Sequence, residues 1–267
     1  KKKMQFGVAI SGLPGSGKST VSLNMRDIMK TLQRPVRLIN LDPSNVNVDG
    51  YDYDICDLCQ SADFQSHYGC GPNGALHLAL QFLFKNVDHL LNFIEQNNEN
   101  FFIFDLPGQI ESYLADDSLL KLFQLLRKQN LEIVLLSLGD AMMINTPLKF
   151  LQFQLSQVAV AAAFPFPIIG LFNKTDLLSR DLEDIMEEFE EELVKSDNQL
   201  TQELMELTES QGLMRVSRFS ALDSKQIVQL IVEVDIRLGY QRGQLGEYKQ
   251  GNAHRIEKYI EEALDEE

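Results

Sequence analysis

The 267-residue chain is 44% hydrophobic and 24% charged, enough apolar content to bury a full core, and α/β folds of this length commonly stand as one domain. Its 39 acidic residues against 24 basic ones leave a formal charge of -15, which disfavours a surface built to neutralise nucleic-acid phosphates or anionic lipid by general attraction. No apolar run approaches the roughly 18–20 residues of a membrane span, and Lys1-Lys2-Lys3-Met4 leads into a short strand rather than a signal-peptide core, so a soluble, cytoplasmic protein is expected.

The first element in chain order is an apolar strand, Gln5 to Ile10, followed by Gly12-Leu13-Pro14-Gly15-Ser16-Gly17-Lys18-Ser19 and a helical pattern from Lys18 to Leu32. The octapeptide matches G-x-x-x-x-G-K-[ST], and a strand before it with a helix after it is the context that a phosphate-binding loop requires. Backbone N–H groups must wrap around phosphate oxygens, which side chains at the glycines would obstruct. Gly12, Pro14, Gly15, Ser16, Gly17, Lys18, Ser19 and Thr20 form the candidate phosphate-binding set. Lys18 is expected to reach the β- and γ-phosphates and the Ser19 hydroxyl to ligate magnesium, at a helix N-terminus that favours anions.

A second strand, Val36 to Leu41, ends in Asn40-Leu41-Asp42-Pro43. Asp42 is a second acid on the ligand edge of the sheet, to be weighed against a turn or helix-capping aspartate. Next come Cys56, Cys59, His67 and Cys70, ligand types that zinc prefers but in a spacing of no common zinc module. Three cysteines in all make an odd count without disulfide density, which points to reduced thiols that pack as small residues.

Gly71-Pro72-Asn73-Gly74 reads as a Pro-stiffened turn before a helix from Ala75 to Glu95. Strand Phe101 to Phe104 then ends in Asp105, an acid placed to hold magnesium directly or through water. It runs into Leu106-Pro107-Gly108-Gln109-Ile110-Glu111, where the Gly108 N–H can touch a γ-phosphate and Gln109 can orient an attacking water. Helices are predicted over Ser118 to Lys128 and Pro147 to Ala163, with strands Ile133 to Leu138 and Ile168 to Phe172 beside them.

After the fifth strand, Asn173-Lys174-Thr175-Asp176 supplies N-K-x-D. A carboxylate held in plane accepts two hydrogen bonds from guanine N1–H and the exocyclic amine, a donor pair that adenine lacks. Asp176 is thus the expected base reader, with Lys174 packed along the ring. The next two helical segments, Leu182 to Lys195 and Gln199 to Gln211, are acidic; a solvated face is the ordinary meaning of such a run and a partner-binding lid the alternative. A sixth strand, Met214 to Phe219, precedes Ser220-Ala221, whose backbone is expected at guanine O6, and a helix from Ser224 to Leu238. Beyond Gly239 the chain turns polar and Gly-rich, then shows amphipathic spacing from His254 to Leu264.

Alternating short apolar strands and helical patterns imply an α/β fold: a three-layer, doubly wound, mostly parallel sheet of a P-loop NTPase, with a helical insertion at about 181–211 before the last strand. One GTPase domain over 1–240 and a polar linker with a helical tail over 241–267 are expected.

The P-loop, N-L-D-P, Gly71-Pro72-Asn73-Gly74, D-x-P-G-Q-I-E, N-K-T-D and Ser-Ala occur in the order found in GPN-loop GTPases, and the likeness spans residues 4 to 240. Tyr68 to Ala75 and Asn145-Thr146-Pro147 to Pro167 most resemble the first of the three eukaryotic paralogue types, although Leu106 replaces a usual threonine and 44–54 diverges. The resemblance implies a magnesium-dependent GTPase with GTP as substrate, dimeric with itself or with a GPN-loop paralogue. In such a dimer Gly71, Pro72 and Asn73 reach the partner's phosphate site. It implies catalysis by Gln109, Asn73, Lys18, Asp105 and Gly108, magnesium held by Ser19, Asp42 and Asp105, and a base site of Asn173, Lys174, Asp176, Ser220 and Ala221. In the cell it implies assembly and nuclear import of RNA polymerase II through contacts with polymerase subunits, with shuttling to the nucleus and neither nucleic acid nor membrane as partner. A non-hydrolysing or very slow nucleotide-dependent assembly chaperone or scaffold and a related P-loop kinase or ATPase are the alternatives.

Overall fold

The computed structural model describes residues 4–46, 48–108, 116–164, 166–210 and 217–240. Gln109, the first half of the expected sixth strand and everything beyond Tyr240 lie outside the described residues. One seven-stranded sheet forms the centre, made of β1 (Gln5–Gly12), β2 (Val36–Asn40), β3 (Tyr53–Asp54), β4 (Phe101–Asp105), β5 (Leu131–Asp140), β6 (Ile168–Asn173) and β7 (Ser217–Arg218). Its order is β3-β2-β4-β1-β5-β6-β7, with every pairing parallel.

β1 lies between β4 and β5, so its two faces are both covered: Val8 and Ile10 join one cluster and Ala9 the other. That is why the strand reads as an unbroken apolar run rather than an alternation. On one face lie α1 (Lys18–Thr31) and α9 (Ser224–Arg237), whose Val21, Met25, Met29, Ile227, Leu230 and Val234 recur at helical spacing. The other face carries α3 (Pro72–Lys85), α4 (Val87–Gln96), α5 (Ser118–Lys128) and α6 (Pro147–Ala163), with α2 (Ser61–Tyr68) against α3. Between β6 and β7, α7 (Leu182–Val194) and α8 (Gln199–Ser210) pack on α6 around a third small core of Phe150, Phe153, Phe172, Leu182, Leu193 and Met205. Glu183, Asp184, Glu187, Glu188, Glu191 and Glu192 are exposed, so the acidic run on α7 is a solvated face.

Two sequence expectations change here. The single helix expected over 75–95 is two, broken at Asn86, whose side-chain amide donates to Phe82 O at 2.9 Å and whose backbone ends α3 outside helical geometry. Helix α3 also begins earlier, at Pro72 with Gly71 as N-cap, so Gly71-Pro72-Asn73 is the first turn of a helix and not a free loop. Proline at the first helical position lacks only an N–H that the helix would leave unbonded.

Candidate functional site

The C-terminal ends of β1, β2, β4, β5 and β6 converge where open parallel sheets bind ligands. From β1 the chain turns through Leu13, Pro14 and Gly15, all exposed, into α1. Gly17 is the N-cap of α1 at φ 92, and the space a Cβ would take there is filled by the Asn173 amide, so glycine is required on two counts. Around Gly15 the corresponding space is open. Thr20 is exposed in the first turn of α1.

Lys18 is 8% exposed and its ammonium has one weak bond, to Leu13 O at 3.4 Å. Burial draws it below the ordinary lysine range, opposed by the nearby carboxylates of Asp105 and Asp42. Burial likewise pushes both carboxyls up. Against that, Asp42 receives backbone bonds from Ser44 and Gly108, and Asp105 receives the Tyr51 hydroxyl with the Ser19 hydroxyl nearby. Asp42 Oδ1 takes the Ser44 N–H at 2.9 Å as a turn former, and the carboxyl lies near Lys18. Gly108 sits against the phosphate loop, since a Cβ there would come within 2.9 Å of Lys18 Nζ and 3.1 Å of Pro14 N. Leu106 is fully buried and packs without touching this chemistry.

Asp105 Oδ2 accepts from the Tyr51 hydroxyl at 2.6 Å, while its Oδ1 is sealed from solvent with no partner. A buried carboxylate oxygen left bare is unfavourable unless a ligand completes it. Ser19, Asp105 and Asp42 are hard oxygen donors of the kind magnesium takes, so the residues fit that ion. The cysteines do not gather into a metal site: among the described residues no group of three His, Cys, Asp or Glu side chains is placed to hold one. Cys56 Sγ instead lies 3.7 Å from Asp42 O, and Cys70 Sγ 3.6 Å from Phe64 O. Burial pushes the Cys56 thiol up to about 12 and that of Cys59 to about 11, which keeps both protonated.

At the base end, Asn173 is 2% exposed. Its amide donates to Ser16 O at 2.8 Å and accepts from Ala221 N at 2.9 Å, tying the phosphate loop to the turn after β7. Asn173 is thus a positioning residue, and the Ala221 N–H expected at guanine O6 is already bonded. The Ser220 hydroxyl also stays within the protein, accepting from Leu222 N at 3.3 Å. Lys174 is engaged within the protein too. Its backbone is left-handed at φ 67, and its ammonium is held by Gly15 O at 2.7 Å and Asp140 Oδ2 at 2.6 Å, so only its methylene stem is free for a ring. Asp140, at the end of β5, also caps the following turn through Met142 N at 3.0 Å. Sequence reasoning missed it; an acid closing an apolar strand, as Asp105 closes β4, was the available signal. Asp176 is exposed at the site, with its carboxylate available. Asn73 is exposed in the first turn of α3.

The fold and this arrangement define a P-loop nucleotide-binding protein of the doubly wound α/β class. A family profile described as "conserved hypothetical ATP binding protein" matches residues 10–240. Among curated proteins the chain is 28% identical to GPN-loop GTPase 2 of Danio rerio, covering 91% of this chain and 84% of that one. It is 33% identical to GPN-loop GTPase 3 of Saccharomyces cerevisiae, over 67% and 66%. A Pyrococcus abyssi GTPase solved in apo form shares the fold at TM-score 0.69 and 20% identity, covering 88% of this chain and 98% of that one. The chain belongs to the GPN-loop GTPase family. These relatives carry second- and third-type names, not the first type that the sequence motifs suggested.

Proposed function

We propose that the chain binds GTP with magnesium and hydrolyses it to GDP and phosphate, acting as a nucleotide-dependent dimeric switch. The observation that carries the choice of base is Asp176: an exposed carboxylate at the end of β6, on a turn whose Asn173 is bonded to the phosphate loop. The family profile speaks of ATP, but a carboxylate in that place repels adenine, which offers it no donor pair.

In hydrolysis the water oxygen bonds to the γ-phosphorus as the bridging β–γ oxygen leaves with GDP. Lys18, buried and short of partners, donates to the β- and γ-oxygens, and the Gly108 N–H turns from Asp42 to the γ-phosphate. Magnesium, held by Ser19 and Asp105 with Asp42 behind them, would neutralise charge on the same oxygens. Gln109 and the partner's Asn73 place the water. An uncharged amide on a proline-stiffened first helical turn, exposed and without a task in its own site, suits presentation to a second subunit. The cellular task we propose with it, assembly and nuclear import of RNA polymerase II from the cytoplasm, follows from the family resemblance.

The test is GTP turnover against protein concentration for the native chain, Asn73→Ala, Lys18→Ala and a 1:1 mixture of the two variants. Specific activity is expected to rise with concentration and the mixture to recover activity that neither variant has. Turnover indifferent to concentration and to Asn73→Ala would remove the dimeric mechanism, and ATP competing equally with GTP would remove the base assignment.

A further inference from the structure

Ser19 on α1 and Asp105 at the end of β4 come from separate elements, yet a third segment joins them. The Tyr51 hydroxyl donates to Asp105 Oδ2 at 2.6 Å and accepts from Asn45 Nδ2 at 2.8 Å, and the same Asn45 amide lies 3.4 Å from Ser19 Oγ. With Oδ2 engaged by Tyr51, the oxygen of Asp105 left without a partner is Oδ1, which is buried. The Tyr51 ring packs among the partly buried apolar residues beside α1, which fixes the hydroxyl in place.

We propose that Tyr51 is a positioning residue for the divalent cation: by holding Asp105 Oδ2, and Ser19 through Asn45, it sets the two metal-binding oxygens in register before the ion arrives. This rests on reading the site as one for a magnesium–guanine nucleotide. Outer groups that orient metal-binding side chains typically contribute about 10–100-fold in metal affinity. None of the expected site motifs contains Tyr51.

The experiment uses the full chain and a fluorescent GDP. GDP affinity is measured in EDTA, and GDP dissociation is then followed across a magnesium titration, for the native chain, Tyr51→Phe and Asn45→Ala. Tyr51→Phe removes one oxygen and keeps the ring, so the magnesium midpoint should rise about 10–100-fold while GDP affinity in EDTA stays unchanged. Asn45→Ala should move the midpoint the same way by less, and it decides the matter if Tyr51→Phe does not fold. A midpoint unmoved in the folded variants overturns the proposal, as does an equal loss of GDP affinity in EDTA, which would mean a general structural role. Failure of the native chain to bind GDP at all is a separate result, and overturns the functional reading together with this one.

Discussion

The phosphate end of the site and its base end differ in where their polar groups point. At the phosphate end Lys18, Asp42 and Asp105 are drawn out of water towards one another, and burial moves all three away from their ordinary ionisation. Asp105 Oδ1 is bare and Lys18 has one weak bond, so the charges are incomplete without a ligand. At the base end Asn173 and Lys174 are already bonded within the protein, and the reading carboxylate of Asp176 is exposed. On the proposed reading, affinity is built into the phosphate end, while the base end is a finished frame that selects.

Asn173→Ala should break this division most deeply, because the same side chain serves both ends. It leaves the buried Ser16 carbonyl and Ala221 N–H without partners, at about 1–3 kcal/mol each. Thermal denaturation and nucleotide titration should show lower stability together with weaker binding of GDP and of inorganic pyrophosphate; loss of GDP binding alone would mean that Asn173 reads the base.

Asp176→Asn should sharpen the comparison. Hydrogen bonds to a charged group contribute about 1.5–3 kcal/mol, so GDP affinity should fall about 100-fold. XDP, whose second carbonyl can accept from the new amide, should gain. Pyrophosphate binding should not change, and an equal loss of it would end the claim that the two ends act separately.

Asp140→Ala has the smallest expected effect. The Lys174–Asp140 pair is partly exposed, and such pairs contribute about 1 kcal/mol or less. Without Asp140 the Lys174 stem is less firmly placed, so GDP affinity should drop severalfold and pyrophosphate affinity should hold. A larger loss would make Asp140 a support of the phosphate loop itself, through the Gly15 carbonyl that Lys174 also reaches.

Much of this was legible in the chain. Continuous apolar runs marked β1, β2, β4, β5 and β6, because strands buried on both faces need no polar alternation. The two-residue β3 carries no run at all and was invisible; its place comes from pairing with β2. The break at Asn86 was missed because the apolar spacing continues through it into α4, while a single side-chain amide ends α3. Tyr51 and Asp140 stood outside every motif, since a residue that acts by holding another has no spacing rule of its own.

The sequence by itself determined the class of fold, the phosphate-binding loop, the acids at the strand ends and the tetrad Asn173 to Asp176 that we propose selects guanine. Each of these is local: a few residues in fixed order suffice to wrap backbone N–H groups or to close a strand with a carboxylate. Only the tertiary structure decided that Asn173 ties the phosphate loop to the Ala221 turn, that Lys174 is clamped between Gly15 and Asp140, and that Tyr51 leaves one oxygen of Asp105 bare. These are hydrogen bonds between residues 34 to 159 positions apart, and a chain discloses such partners only once the sheet has brought the strand ends together.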